Sequence, residues 1–175
     1  MPRSLRRAAT VGVVALLAGL LTAPSASADI QTFPDVGGHI TAVRVSHGPR
    51  TVGITVYDGD LFGDSYYYKF WIDIHPGNPG PEYKAEIYPD SDVLHLMRVA
   101  NFASGGIKFD CEGFSGFAVT DHESYAKVVI PRSCISIPPS VRVAVVGYYD
   151  ENADGRVDLK DWAPGEERFY PWVDR

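Results

Sequence analysis

The chain has 175 residues, with 16 Lys and Arg against 22 Asp and Glu and a formal net charge of −6. That length suits one ordinary domain, and a composition 45% hydrophobic and 22% charged excludes wholesale disorder. The acidic balance argues against a broad nucleic-acid surface, and two cysteines are too few for a cysteine-built zinc site.

Residues 1–28 have the layout of a signal peptide. Arg3, Arg6 and Arg7 form a positive start, an apolar run follows from Ala8 to Leu21, and Ala26-Ser27-Ala28 is a small-residue cleavage site. The run is short of the roughly 20 residues that a membrane span needs. Arg6-Arg7 is compatible with either the general or the twin-arginine export route. Export is therefore expected, with a secreted product and no membrane association after cleavage. Removing these 28 residues, with their three arginines, leaves 147 residues, 29–175, with 13 basic against 22 acidic residues and a net charge of −9. In an oxidising compartment Cys111 and Cys134 are expected to pair, since neither lies in the motif of a thiol enzyme.

The remaining chain alternates apolar and polar residues at period two from residue 39 onward. Expected strands are Ile40–Ser46, Arg50–Val56, Tyr67–His75, Tyr83–Tyr88, Val93–Ala100, Gly106–Cys111, Phe114–Thr120, Ser124–Ile130 and Val141–Tyr149. Phe70, Ile72 and Ile74 form the inward set of the third, with Tyr66 and Tyr68 on their side and Tyr67 and Trp71 on the other. Thirteen Pro and 17 Gly break up any helical period, although Pro131–Cys134 suits a single helical turn. The fold class is all-β: one antiparallel β-sandwich domain of about eight to nine strands.

Several segments resemble a group of small exported actinobacterial proteins of unknown function. They are Ile40–Gly48, Phe70-Trp71-Ile72-Asp73, Pro79–Tyr83, Asp161-Trp162-Ala163-Pro164-Gly165 and Pro171-Trp172-Val173, together with the cysteine spacing. The pattern is similar to the sandwich of DOMON-like domains and family-nine carbohydrate-binding modules. The resemblance implies a fold and a leaning toward ligand binding, and transfers no binding residue.

One stretch carries a sharp motif. Residues 150–162 read Asp-Glu-Asn-Ala-Asp-Gly-Arg-Val-Asp-Leu-Lys-Asp-Trp. Set on the twelve-residue EF-hand loop, oxygen side chains fall at positions 1, 3, 5, 9 and 12, and Gly155 at position 6. Ca²⁺ takes 6–8 hard oxygen ligands, so one chain must turn sharply to wrap it. Asp150, Asn152, Asp154, Asp158 (directly or through a water) and Asp161 are the expected side-chain ligands, with Arg156 offering its backbone carbonyl and Val157 anchoring the loop on the core. Asp161 in place of Glu is similar to the dockerin version of this loop. The flanks differ from an EF-hand, because a strand precedes the loop and Pro164 limits any helix after it. The alternative is an ordinary hydrated turn, but five acids against two bases in 150–161 favour a divalent cation.

Weaker constellations remain. Asp58, Asp60 and Asp64 suit a hairpin turn better than a second cation site. Asp73 and His75 share a face, but with no nucleophile elbow or zinc spacing nearby they read as ordinary polar residues, so no catalytic residue is assigned. Tyr67 and Trp71 are either an exposed stacking face for a sugar or are covered by the C-terminal tail with Tyr170 and Trp172. The expectation is a secreted, non-catalytic calcium-binding sandwich with Ca²⁺ in a structural role. The alternative is an extracellular glycan-binding module with accessory calcium.

Overall fold

The structure, a computed structural model, describes residues 28–59, 65–89, 93–119, 124–152 and 154–175, and of residues 65 and 66 the backbone alone. The expected signal peptide, apart from Ala28, lies outside the described residues, as do Asp60, Asp64 and the Tyr66 side chain. Two antiparallel sheets pack face to face. The smaller contains β1 (Asp29–Pro34), β2 (Ile40–His47), β3 (Thr51–Asp58), β8 (Ser115–Val119) and β9 (Tyr125–Pro131), in the order β1-β2-β3-β9-β8. The larger runs β11-β10-β4-β5-β6-β7 and contains β4 (Ser65–Asp73), β5 (Tyr83–Ile87), β6 (Leu94–Arg98), β7 (Ile107–Lys108), β10 (Ser140–Tyr149) and β11 (Leu159–Ala163). A short β12 (Val173–Asp174) also pairs with β10.

All nine expected strands are present, and the β-sandwich is as expected. Three more strands, β1, β11 and β12, bring the number among the described residues to twelve, above the expected eight to nine. The single helical turn is also there, as a 3-10 turn at Arg132–Ile135.

Register places the alternating apolar residues directly opposite one another. In the smaller sheet Val45, Ile54 and Val128 form one cross-strand row, and Val43, Val56 and Ala126 another. In the larger sheet Val145, Phe70, Ala85 and Leu96 do the same. All ten side chains are buried in the core between the sheets. Burying a Val, Leu, Ile or Phe side chain contributes about 1.5–3 kcal/mol each, so these rows dominate the stability of the fold. A one-residue slip would turn a whole row to solvent, which is why the register is unique.

The Cys111–Cys134 disulfide is formed, with a Cα–Cα distance of 5.9 Å. Cys111 follows β7 of the larger sheet and Cys134 sits in the 3-10 turn after β9 of the smaller. The bridge therefore ties the two layers together beside β7 and β9.

Candidate metal centre

β10 ends at Tyr149, and the acidic loop leaves from there at one end of the sandwich. Tyr149 is a firm base. Its hydroxyl donates to Asp58 Oδ2 at 2.9 Å, and the Tyr68 hydroxyl donates to the same oxygen at 2.5 Å. The His39 ring stacks on Tyr149 with centroids 4.3 Å apart, and His39 Nε2 lies 3.5 Å from the Glu151 carboxylate. Burial, reinforced by Tyr68 and the Asp58 charge, pushes the Tyr149 phenol far up, so it remains a donor.

Beyond this base the loop turns back on itself. Asp150, 8% exposed, accepts the N–H of Asp154 at 3.0 Å and that of Gly155 at 2.6 Å. Gly155 adopts φ +82°, the left-handed conformation expected of the sixth position. Asp154 in turn accepts the N–H of Arg156 at 2.9 Å. One carboxylate oxygen each from Asp150, Asp154 and Asp158 lies within 4.8 Å of the others. Three like charges so close repel one another unless a cation, a proton or water intervenes. Asn152 borders the cluster, with its Nδ2 2.8 Å from Asp158 Oδ2. The Arg156 side chain is exposed.

Two expected roles need correction. Asp161 does not join the cluster: it lies on β11 opposite Gly147, and its Oδ2 accepts the Ile40 N–H at 2.7 Å. Strand pairing begins with Asp158 N–H to Tyr149 O at 2.9 Å, which carries position twelve along β10 and away from the loop. Val157 is no core anchor either. It is 37% exposed, because the loop projects past the end of the sheets.

The second expected site also changes. Tyr67 and Trp71 do face outward from the larger sheet, but Trp71 is only 3% exposed. Its cover is Phe102, at 5.3 Å centroid separation, which itself contacts Trp162 and Phe169. The tail does contribute to that cover, through Phe169 rather than the expected Tyr170 and Trp172. Tyr170 instead enters the inner core and stacks on Phe33 at 4.6 Å. Trp172 lies against the Arg142 guanidinium at 4.8 Å. A Tyr67–Trp71 stacking face for a sugar is therefore not available.

Asp73 and His75 have separate surroundings. Asp73 is fully buried, accepts from Arg142 Nε at 2.7 Å and takes the His75 backbone N–H at 2.9 Å, while the imidazole points into solvent. Sequence reasoning missed the ion pairs of Glu86 with Lys84 at 2.8 Å and Lys69 at 3.9 Å on this same outer face, because these residues meet only once the register is set. Among the described residues no helix is long and apolar enough to cross a membrane. Comparisons of the chain with protein-family models, curated proteins and solved structures found no match.

Proposed function

We propose that this is a secreted β-sandwich protein that binds one Ca²⁺ at the loop after β10, chiefly to hold the C-terminal segment onto the sandwich. The observation that carries this reading is the approach of the Asp150, Asp154 and Asp158 carboxylates to within 4.8 Å around a loop whose sixth residue, Gly155, has positive φ. Asn152 Oδ1 and the Arg156 carbonyl would complete the protein ligands, leaving the remaining positions to water, since Ca²⁺ tolerates six to eight oxygens in a flexible shell. Mg²⁺ fits less well, because it prefers a strict octahedron rich in water. The binding energy would act on the segment that follows: the loop leads directly into β11, whose pairing with β10 starts at Asp158.

The test is thermal unfolding of the mature protein in chelator and in increasing CaCl₂. A single site with a Kd of about 10⁻⁵ to 10⁻³ M is expected. Binding confined to the folded state adds about 2.7 kcal/mol at a hundredfold excess over Kd. A melting temperature indifferent to chelator and calcium would refute the reading.

A further inference from the structure

The strands at the margins of the two sheets are not alike. In the larger sheet β7 has only two residues, one of them Lys108, and β11 carries Lys160 and the Asp161 carboxylate that holds the Ile40 N–H. At one margin of the smaller sheet β1 starts with Asp29 and ends in Pro34. Short length, charge and proline are the usual means of blunting an edge. At the other margin β8 reads Ser-Gly-Phe-Ala-Val, five residues with neither a charge nor a proline. Such an edge is a template for a further strand.

The register shows which backbone groups β8 leaves over. At the two ends of the β3–β9 pair, the Asp58 N–H donates to the Ser124 carbonyl and the Arg132 N–H to the Arg50 carbonyl, both at 2.9 Å. Hydrogen-bonded pairs alternate along an antiparallel ladder, so even-numbered residues of β9 turn their backbone groups to β3 and odd-numbered ones to β8. Tyr125, Lys127 and Val129 therefore engage Val119, Phe117 and Ser115. Gly116 and Ala118 turn their N–H and C=O groups to the open edge, and among the described residues no hydrogen bond takes them up. Their side chains face the other sheet: Ala118 packs on the core, and a Cβ on Gly116 would lie 3.0 Å from Leu94 Cδ1. Phe117 points outward, 47% exposed, with its ring against Tyr125 at 5.8 Å.

We infer that β8 pairs with β8 of a second copy of this chain, antiparallel, about a two-fold axis through Phe117. That axis sets Gly116 opposite Ala118 of the second copy and Ala118 opposite its Gly116, so the free groups of both copies join in four hydrogen bonds with none left over. Phe117 meets its own counterpart as a pair without hydrogen bonds, the closest kind, with Cα atoms about 4.5 Å apart. The outer row Tyr57–Tyr125–Phe117 then runs on through the axis into the same row of the second copy. An axis through Gly116 would instead place Ala118 opposite Phe114, whose N–H already bonds the Cys111 carbonyl at 3.1 Å. The symmetry is what selects the occupant. An unrelated peptide would need an aromatic residue at one fixed place between two small ones and no charge to strand, and a second copy supplies all three. Gly116 and Ala118 of that copy are small enough for the groove beside β8, lined by Ile87, Val93 and Leu94. The contact is isologous and consumes both edges, so assembly stops at two. Five residues a side make a small interface, so the pair is a weak one.

Analytical ultracentrifugation of the mature protein in chelator tests the inference, and working without calcium keeps the result independent of the loop site. From micromolar to millimolar concentration the wild type should shift from monomer to dimer and no further. Phe117→Lys sets like charges opposite one another, and Ala118→Pro removes an N–H that β9 does not use. Each should raise the dimer dissociation constant by about tenfold or more while the melting temperature is kept. Phe117→Cys should cross-link into a dimer under mild oxidation. Ser115→Cys should not, because four positions of strand, roughly 14 Å, separate it from its counterpart. A monomer at every concentration, growth past the dimer, variants that associate like the wild type, or cross-linking of Ser115→Cys as readily as of Phe117→Cys would each overturn the inference.

Discussion

The Asp161 carboxylate accepts the backbone N–H of Ile40 at 2.7 Å, across 121 positions of sequence. Ile40 opens β2 in one sheet and Asp161 lies on β11 in the other, so this bond joins the layers next to the calcium loop. Gly38 lies so close beneath it that a Cβ there would come within 2.2 Å of the carboxylate. Removing the acceptor of a buried N–H costs about 1–3 kcal/mol. Asp161→Ala should therefore destabilise by that amount in chelator and in calcium alike. Asp150→Ala with Asp154→Ala should instead remove only the increment that calcium adds. Melting curves of the variants with and without calcium separate the two roles, and loss of the calcium increment in Asp161→Ala would restore it as a ligand.

A second prediction concerns Asp73. Its fully buried charge depends on Arg142, whose guanidinium is clasped between Phe169 at 4.7 Å and Trp172 at 4.8 Å. Breaking such a pair from one side typically costs about 3–5 kcal/mol, because the remaining charge is stranded. Arg142→Ala should approach that loss in urea denaturation. Asp73→Asn with Arg142→Met should recover much of it.

Trp71 should behave as a packed residue rather than a ligand contact. With 3% exposure, Trp71→Ala is expected to destabilise by about 3–5 kcal/mol. A melting temperature within a degree of wild type would mean that the Phe102 cover opens in solution.

His47 makes stability depend on pH. Burial pushes its imidazole below the ordinary histidine value, and nearby Arg132 and Arg175 add to that, against the Val173 carbonyl and Asp174. Nδ1 faces the Val173 carbonyl at 3.2 Å, while buried Nε2 has no hydrogen-bond partner. As pH falls below the unfolded value of about 6.5, the unfolded chain takes up the proton first. Stability from this group is therefore undiminished above that pH and declines below it, toward the lowered folded value. Urea midpoints between pH 7.5 and 5.5 should fall, and His47→Gln should flatten that slope.

Reduction tests the bridge between the layers. Cys111 and Cys134 are 23 positions apart, and closing such a loop contributes about 3 kcal/mol on a chain-entropy account. The oxidised protein should show no thiol that alkylates without reductant, and its urea midpoint should drop on reduction by a matching amount.

Alternation carried most of the fold in the sequence, because each main strand turns one face to the inner core, even where, as in β5 and β10, the other face is covered too. It failed for β1, whose side chains are at best half-buried, and for β12, which has only two residues. β11 was hidden for a different reason. Asp158 and Asp161 both suit a calcium loop by spacing, and only the pairing with β10 assigns one to the loop and the other to a strand. Cover over Trp71 was equally out of reach of local pattern, since Phe102 belongs to a loop between β6 and β7 with no period of its own.

The C-terminal segment runs back along the strand that precedes it. β11 pairs with Val145–Tyr149, the Tyr170 N–H bonds the Val143 carbonyl at 2.9 Å, and β12 pairs with Ser140 and Val141. The last 26 residues thus act as a guard for a ten-residue strand rich in valine. A chain cut after Tyr149 would present that strand's bare N–H and C=O groups to its neighbours, an open template for strand addition. Such a truncation should self-associate in proportion to concentration, so the tail protects solubility as well as stability.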